Sequence, residues 1–470
     1  MRPVEVVHPT VEDPVARAAS EAVGGPTGSR SRGHRWWTPV RVVLAVACVA
    51  WLLAMVQKAP CAADGWNGEN ARYAQMCYSD VPYLYVGRGF AELQMPFADS
   101  EGRYGDLEYP VLIGWFAYGA SWLTQQLVGE ADLERRRAAP VDQVSGFAGV
   151  EEERRLSFVV TAVLLAPFVL LAAWFLAGAH RGRPWDALPF AAAPALVVAG
   201  LVNWDVIAVA CVAGAFWAWS RGSPLLAGVM VGLGTAAKLY PLFLLGAFLV
   251  VALRRRSWRP LALVLTGAVV SWLVVNVPVM LYGWQGWTVF WSFNADRGPD
   301  LGSLWLVAAH AGHAASPHTV NVVSWLVFLG VCLAVLVLGL KAPQVPRVAQ
   351  LAFLVLVGFL LVNKVYSPQY VLWLLPVAVL ARPRWRDLLV WQAGELFYFA
   401  MVWMYLGQYT ASATNGGEDV AYAVAILVRV AAELYLAAVV VRDVLRPWRD
   451  PVRLTAGDLS HDPMTPEPAR

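Results

Sequence analysis

Residues 361–376 read LVNKVYSPQYVLWLLP, in which an octet carrying amide, ammonium, phenol and hydroxyl groups, Asn363 to Tyr370, is wedged between two apolar runs. Polar groups cannot lie bare in hydrocarbon, so the octet reads as a turn that is solvated or filled by a ligand. A plain loop does not need that mixture of side chains. The flanking runs share the character of most of the chain: 58% of its 470 residues are hydrophobic, 15% are charged and 23 are Trp. Such a composition excludes an ordinary soluble domain and describes a polytopic membrane protein. Spanning segments must satisfy their own backbone, so the expected fold class is all-α, a transmembrane helical bundle rather than a barrel. The net charge of +3 comes from Arg-rich loops between apolar segments, which speaks to orientation in a membrane. No basic stripe with interleaved aromatics points to nucleic acid.

Working outward, the basic clusters set the orientation. Arg30, Arg32, Arg35 and Arg41, then Arg181 and Arg183, Arg221, Arg254 to Arg256, Lys341 with Arg347, Arg382, Arg384 and Arg386, and Arg442 with Arg446 and Arg449 are all expected on the cytoplasmic side. Counting 110–128 as a crossing strands Arg181 and Arg183 outside, so this stretch is expected to be an interfacial or re-entrant helix. The spans then read 40–57, 156–180, 187–201, 204–220, 224–238, 241–253, 260–281, 319–340, 347–362, 370–381, 387–406 and 420–441. These twelve crossings, in the plasma membrane, put both termini in the cytoplasm. Several are short, which suggests helices buried among neighbours or beside a water-filled cavity.

The transmembrane domain is thus expected over 40–441, between disordered tails at 1–39 and 442–470 that have too few large apolar residues for a core. The first apolar run starts too far from Met1 for a cleavable signal peptide. Two large outside loops are expected, 58–155 and 282–318, the second with Trp284, Trp287, Trp291 and Trp305 at the headgroup level. Cys61 and Cys77 share the first loop, where the compartment permits a disulfide. Cys48, Cys211 and Cys332 read as buried thiols. No Cys or His spacing resembles a zinc site, His310, His313 and His318 read as interfacial polar residues, and no metal site is expected.

With this topology four ionisable residues, Asp80, Asp205, Lys238 and Lys364, come to one membrane face. Asp80, in Cys77-Tyr78-Ser79-Asp80-Val81-Pro82, is open to two compatible readings: a helix cap shared with Ser79, or a carboxylate that accepts the proton of an attacking hydroxyl. Arg88 follows on the same short helix. Glu108, before Tyr109-Pro110, reads first as helix initiation. Asn203 and Asp205 begin a helix that Asp205 could cap, on the side where the polar loops gather. Lys238, in Lys238-Leu239-Tyr240-Pro241, sits at the outward tip of two short helices, where it either snorkels or meets an anion such as a phosphate. Arg297 is a further outside cation. Glu395, Arg429 and Glu433 read as a structural ion-pair network.

In order along the chain, the early Asp in a long first loop, the Tyr109-Pro110 interfacial helix, Glu153-Arg154-Arg155-Leu156 and the Asn203/Asp205 helix start resemble the GT-C superfamily of integral-membrane glycosyltransferases. So does the Thr235-Ala236-Ala237-Lys238 hairpin. The Lys238-Leu-Tyr-Pro and Asn363-Lys-Val-Tyr-Ser-Pro-Gln-Tyr elements are similar to polyprenyl-phosphate-mannose-dependent mannosyltransferases of glycosyltransferase family 87. The resemblance covers about residues 40–440. It implies an inverting transfer, on the extracytoplasmic face, of a sugar such as mannose from a polyprenyl-phosphate donor to a glycolipid, lipoglycan or protein acceptor. Asp80 is then the general base. Lys238, Lys364 and Arg297 neutralise the donor phosphate, Tyr366, Gln369 and Tyr370 orient sugar hydroxyls or phosphate, the lipid carrier occupies an apolar groove between helices, and membrane lipid is a further partner. No cofactor is implied, and Asp80 lacks a clear second acid beside it for a metal. The 129–155 insert has no counterpart in the pattern. Two other functions stay open: a secondary transporter, against which stand the long first loop and the lack of an internal repeat, and a noncatalytic envelope-assembly protein on the same fold.

Overall fold

The computed structural model describes residues 6–8, 13–24, 35–68, 71–98, 102–105, 107–129, 132–410 and 419–455; Arg30 and Arg32 of the first basic cluster lie outside them. The regular structure among these residues is helical. Five helices are long and apolar enough to cross a membrane: Pro39–Ala63, Val150–Ala179, Trp258–Tyr282, Pro317–Lys341 and Val420–Leu445. Three of them start with ordinary capping chemistry, since Thr38, Ser316 and Asp419 each accept a hydrogen bond from a backbone N–H in the first turn. Length and composition therefore support five of the twelve expected crossings. The short helices differ in kind. Val206–Ser220 and Val348–Val362 bury most of their residues, and Val371–Ala381 buries every one, whereas Pro317–Lys341 buries only four. The short helices form the protein-facing centre, and the long ones turn exposed residues such as Leu52, Val274, Leu326 and Leu329 outward.

The expected span 187–201 is interrupted. It is a 3-10 turn at Pro184–Ala187 and two short helices, Leu188–Ala191 and Pro194–Ala199. Pro194, which has no N–H to donate, starts the second of these, so no continuous ladder can pass through it. Elsewhere the chain uses small residues to bring helices close. A methyl group on Gly228 or Gly232 of the Pro224–Ala237 helix would collide with the carbonyl of Val264 or Ala268 in Trp258–Tyr282, and one on Gly267 with that of Leu225. This G-x-x-x-G face lets the two backbones touch.

The 58–155 segment is built, not loose. The first helix continues to Ala63, and a disulfide joins Cys61 to Cys77 with their Cα atoms 5.7 Å apart. Val111–Val128 packs on Val150–Ala179 and Pro224–Ala237, and it is not among the five long apolar helices. The 129–155 insert is anchored by a buried pair, Arg136 Nη2 to Glu153 Oε1 at 2.5 Å, with Tyr85 donating to the same carboxylate at 3.1 Å. Within 282–318, Trp284–Asp296 and Leu304–His310 are helical, and Trp284, Trp287 and Trp291 recur on one face with neighbouring ring centroids 5.2 and 5.9 Å apart.

Parts of both tails lie among the described residues. Pro14–Gly24 is a helix, and buried Asp13 ahead of it accepts from the Trp385 N–H at 3.0 Å. After the last long helix, Asp450 is fully buried against Arg347, 2.8 Å away. Single buried carboxylates tether these segments, and apolar content does not reveal such tethers.

Candidate functional site

Ser79 resolves the double reading of Asp80. Its side chain caps Asp80–Gly87 by accepting from Val81 N at 3.4 Å, which leaves the Asp80 carboxylate for other work. The Asp80 N–H donates to the Val202 carbonyl at 2.7 Å, tying it to the turn that carries Asn203 and Asp205. Buried Lys58 reinforces this junction by donating to the Tyr78 carbonyl at 2.9 Å and that of Val198 at 3.4 Å. Tyr109 donates its hydroxyl to Asp80 Oδ2 at 2.7 Å. Burial pushes the Asp80 carboxyl above its ordinary value, against the pull of the Tyr109 and Tyr78 hydrogen bonds and the Lys238 charge.

Asp205 occupies the cap position of Val206–Ser220 without capping it. Its carboxylate instead pairs with Lys238 at 3.0 Å, and its N–H donates to Asn203 Oδ1 at 3.0 Å. Lys238 also lies 4.6 Å from the Tyr109 ring centroid, so Asp80, Tyr109, Lys238 and Asp205 follow one another in space. The lysine does not snorkel to the surface: its side chain is 13% exposed.

The Asn363–Tyr370 octet docks on the second loop. Asp300 N donates to the Lys364 carbonyl at 2.8 Å and Tyr366 N to that of Leu301 at 2.6 Å. Gly302 permits this approach, because its φ is +70° and a methyl there would strike the Tyr366 carbonyl and the Tyr398 hydroxyl. Lys364 Nζ is held by two neutral oxygens, the Ala295 carbonyl at 3.2 Å and Asn321 Oδ1 at 2.6 Å. Burial, and after it the charge of Arg297, pull its pKa down from the usual lysine value. Arg297 is committed to Asp300, at 2.5 Å.

A cavity of about 550 Å³ is lined by Asp80, Glu108, Asn203, Lys238, Arg297, Lys364, Gln369 and Tyr370. Eight expected site residues therefore meet at one end of the bundle. Asp205 lies directly behind Lys238. Phe290, Trp325, Phe328 and Phe359 give the lining an apolar part. Two expected site residues, Tyr366 and Arg88, are not in the lining of this cavity. Tyr366 is fully buried away from the cavity: it donates to Glu395 Oε2 at 2.9 Å, and the Arg429 guanidinium lies 3.6 Å from its ring centroid. Its neighbours hold the loop, for Arg429 also donates to the Gly302 carbonyl at 3.0 Å and pairs with Glu433 at 3.4 Å. Arg88 sits behind the cavity wall in a bidentate pair with Glu108, its Nη2 2.9 Å from Oε2.

Tyr109, Asn321 and Lys58 were not among the expected site residues. A phenol beside Glu108 and a lysine inside an apolar helix were the available signals, but their partners are far away in sequence. Among the described residues no cluster of three metal-ligating side chains occurs. A search of curated proteins finds no match. Residues 153–368, which carry Asn203, Asp205, Lys238, Arg297 and Lys364 but not Asp80, match the family model of glycosyltransferase family 87, and that match implies a glycosyltransferase.

Proposed function

We propose that the chain, on a GT-C type bundle, transfers a sugar, mannose by its resemblance, from a polyprenyl-phosphate donor to a hydroxyl of a cell-envelope acceptor. The acceptor oxygen attacks the anomeric carbon from the face opposite the phosphate, and its proton passes to Asp80. The bond from that carbon to the phosphate oxygen breaks with its electron pair on the oxygen, so configuration inverts. The leaving phosphate gains negative charge in this step, and cations placed beforehand lower the cost.

The observation that carries the proposal is the contrast among those cations. Lys238 and Arg297 are each neutralised by a carboxylate, while Lys364 is held only by neutral oxygens in the cavity that Asp80 also lines. Among the described residues Lys364 makes no ion pair and feels only the more distant charge of Asp296, which suits the single charge of a sugar phosphodiester. The apolar part of the lining, Phe290, Trp325, Phe328 and Phe359, suits the first isoprene units of the carrier. Positive charge comes from side chains in this scheme, which calls on no metal.

An extracytoplasmic cavity fits two features. The basic residues Arg221, Arg254, Lys341, Arg347 and Arg382 stand at the helix ends opposite those that bear Asp205, Lys238, Lys364 and Tyr370. The Cys61–Cys77 bridge belongs to an oxidising compartment. The test is incubation of membranes containing the protein with radiolabelled polyprenyl-phosphate-mannose. Label should move to a glycolipid, lipoglycan or protein product with the natural chain and not with Asp80→Asn. Label that stays in the donor with the natural chain, or transfer undiminished by the substitution, counts against it.

A further inference from the structure

We infer that Lys58, assisted by Gln57 and the Cys61–Cys77 bridge, is a positioning residue that fixes where Asp80 stands and so sets turnover without affecting donor binding; this rests on the transfer reading above. Residues 57, 58 and 61 share one face of Pro39–Ala63, since positions three and four apart on a helix are neighbours. From that face three successive residues of the chain leading to Asp80 are held. Gln57 Nε2 donates to the Met76 carbonyl at 2.7 Å, Cys61 is bonded to Cys77, and Lys58 Nζ donates to the Tyr78 carbonyl at 2.9 Å. Ser79 and Asp80 come next. The helix that does the holding is itself fixed, because Trp51, two turns earlier, donates its indole N–H to the Ala162 carbonyl of Val150–Ala179 at 2.9 Å. Lys58 Nζ also reaches the Val198 carbonyl at 3.4 Å, four residues before Val202, whose carbonyl accepts from the Asp80 N–H. One ammonium thus joins the segment that carries the base to the segment that holds its backbone.

The choice of a lysine argues for this role. Lys58 is fully buried in an apolar helix and, among the described residues, makes no ion pair; its bonds go to neutral carbonyls, and the carboxylate whose charge it feels is Asp80. A cation placed so is destabilising beside an apolar side chain of the same size, so packing does not account for it. What an ammonium supplies and a methionine lacks is several N–H donors on one atom, and these hold two carbonyls of different segments at fixed places. A general base needs such fixing, since a misplacement of about 1 Å can slow a reaction about 100-fold. Lys364, proposed for the donor phosphate, is held elsewhere, by Ala295 and Asn321. Placing the base and binding the donor are therefore separable.

Lys58→Met removes the donors and nearly keeps the volume. Gln57→Leu releases only the Met76 carbonyl, from a half-buried position, and decides the matter should Lys58→Met fail to fold. Initial rates of label transfer from polyprenyl-phosphate-mannose, per folded molecule in membranes, should show kcat lowered about 100-fold in Lys58→Met and about 10-fold in Gln57→Leu, with the donor KM unchanged in both. Hydrogen–deuterium exchange of the full chain in nanodiscs should become faster over residues 76–83 and stay the same over 363–370. A lysine that serves stability alone would lower the melting temperature and leave kcat per folded molecule as it is, and that result overturns the inference. So does a donor KM that rises in step with the loss of rate, or exchange over 76–83 equal to that of the natural chain. A natural chain that transfers no label sinks the transfer reading, while faster exchange over 76–83 in the variants leaves Lys58 standing as the tether of Asp80.

Discussion

Replacing Asp80 by asparagine exchanges one oxygen for an amide group and removes one charge. The geometry around it should survive, since Ser79 makes the helix cap, the Asp80 N–H bonds to Val202, and an amide oxygen can still accept from Tyr109. What disappears is a proton acceptor, which is worth about 100- to 10,000-fold in rate, or about 3 to 5 kcal/mol of barrier. Donor binding should hold or tighten, because Lys238 loses one of two nearby negative charges. Turnover and binding of radiolabelled polyprenyl-phosphate-mannose, measured side by side, separate the two effects. The natural enzyme should also lose activity on acidification with a midpoint above the ordinary aspartate value, because the base works deprotonated and burial raises its pKa. Stability responds with the opposite sense: a carboxyl whose folded pKa is raised favours folding below its unfolded pKa and loses that contribution as pH rises through the folded pKa. Asp80→Asn should therefore melt at the same temperature as the natural chain or higher at neutral pH. A variant within about 10-fold of natural turnover, a smaller loss than a missing base predicts, or one that no longer binds donor, refutes the assignment.

Lys364→Met should raise the donor KM by about 10- to 150-fold, the worth of a hydrogen bond to a charged group, and Lys364→Arg should recover part of it; initial rates across donor concentration decide this. Tyr366→Phe should cost about 1 to 3 kcal/mol of stability by depriving buried Glu395 of a donor and leave the donor KM alone, so a raised KM in folded protein would return Tyr366 to the substrate. Cys61→Ser opens a loop with a sequence separation of 16 residues and should lose about 3 kcal/mol on the chain-entropy account, read as a lower melting temperature that reductant reproduces in the natural chain.

The octet at 363–370 was legible because polar groups between apolar runs demand solvent or ligand, and that demand does not depend on tertiary detail. What could not be read was which side chain answers it. Lys364 and Gln369 line the cavity while Tyr366 turns into the core, a division set by Gly302, Glu395 and Arg429, all distant in sequence. The same limit applied to Asp205. A carboxylate at a helix start is ordinarily a cap, and only the return of the chain at Lys238 makes it a counter-ion. Short helices put the remaining seven of the twelve expected crossings beyond what length and composition support, for a related reason. Hydropathy measures how apolar a segment is, and a segment wrapped by other helices can be as apolar as one facing lipid. Val371–Ala381, buried throughout in 11 residues, needs no bilayer-spanning length because protein surrounds it. That burial has a functional side: residues at the ends of protein-enclosed helices can be held in fixed positions, and Asp205, Lys364 and Tyr370 each stand at or next to such an end. Mobile, lipid-facing helices would place a reaction centre less firmly, so the brevity that obscured the topology is part of what assembles the cavity.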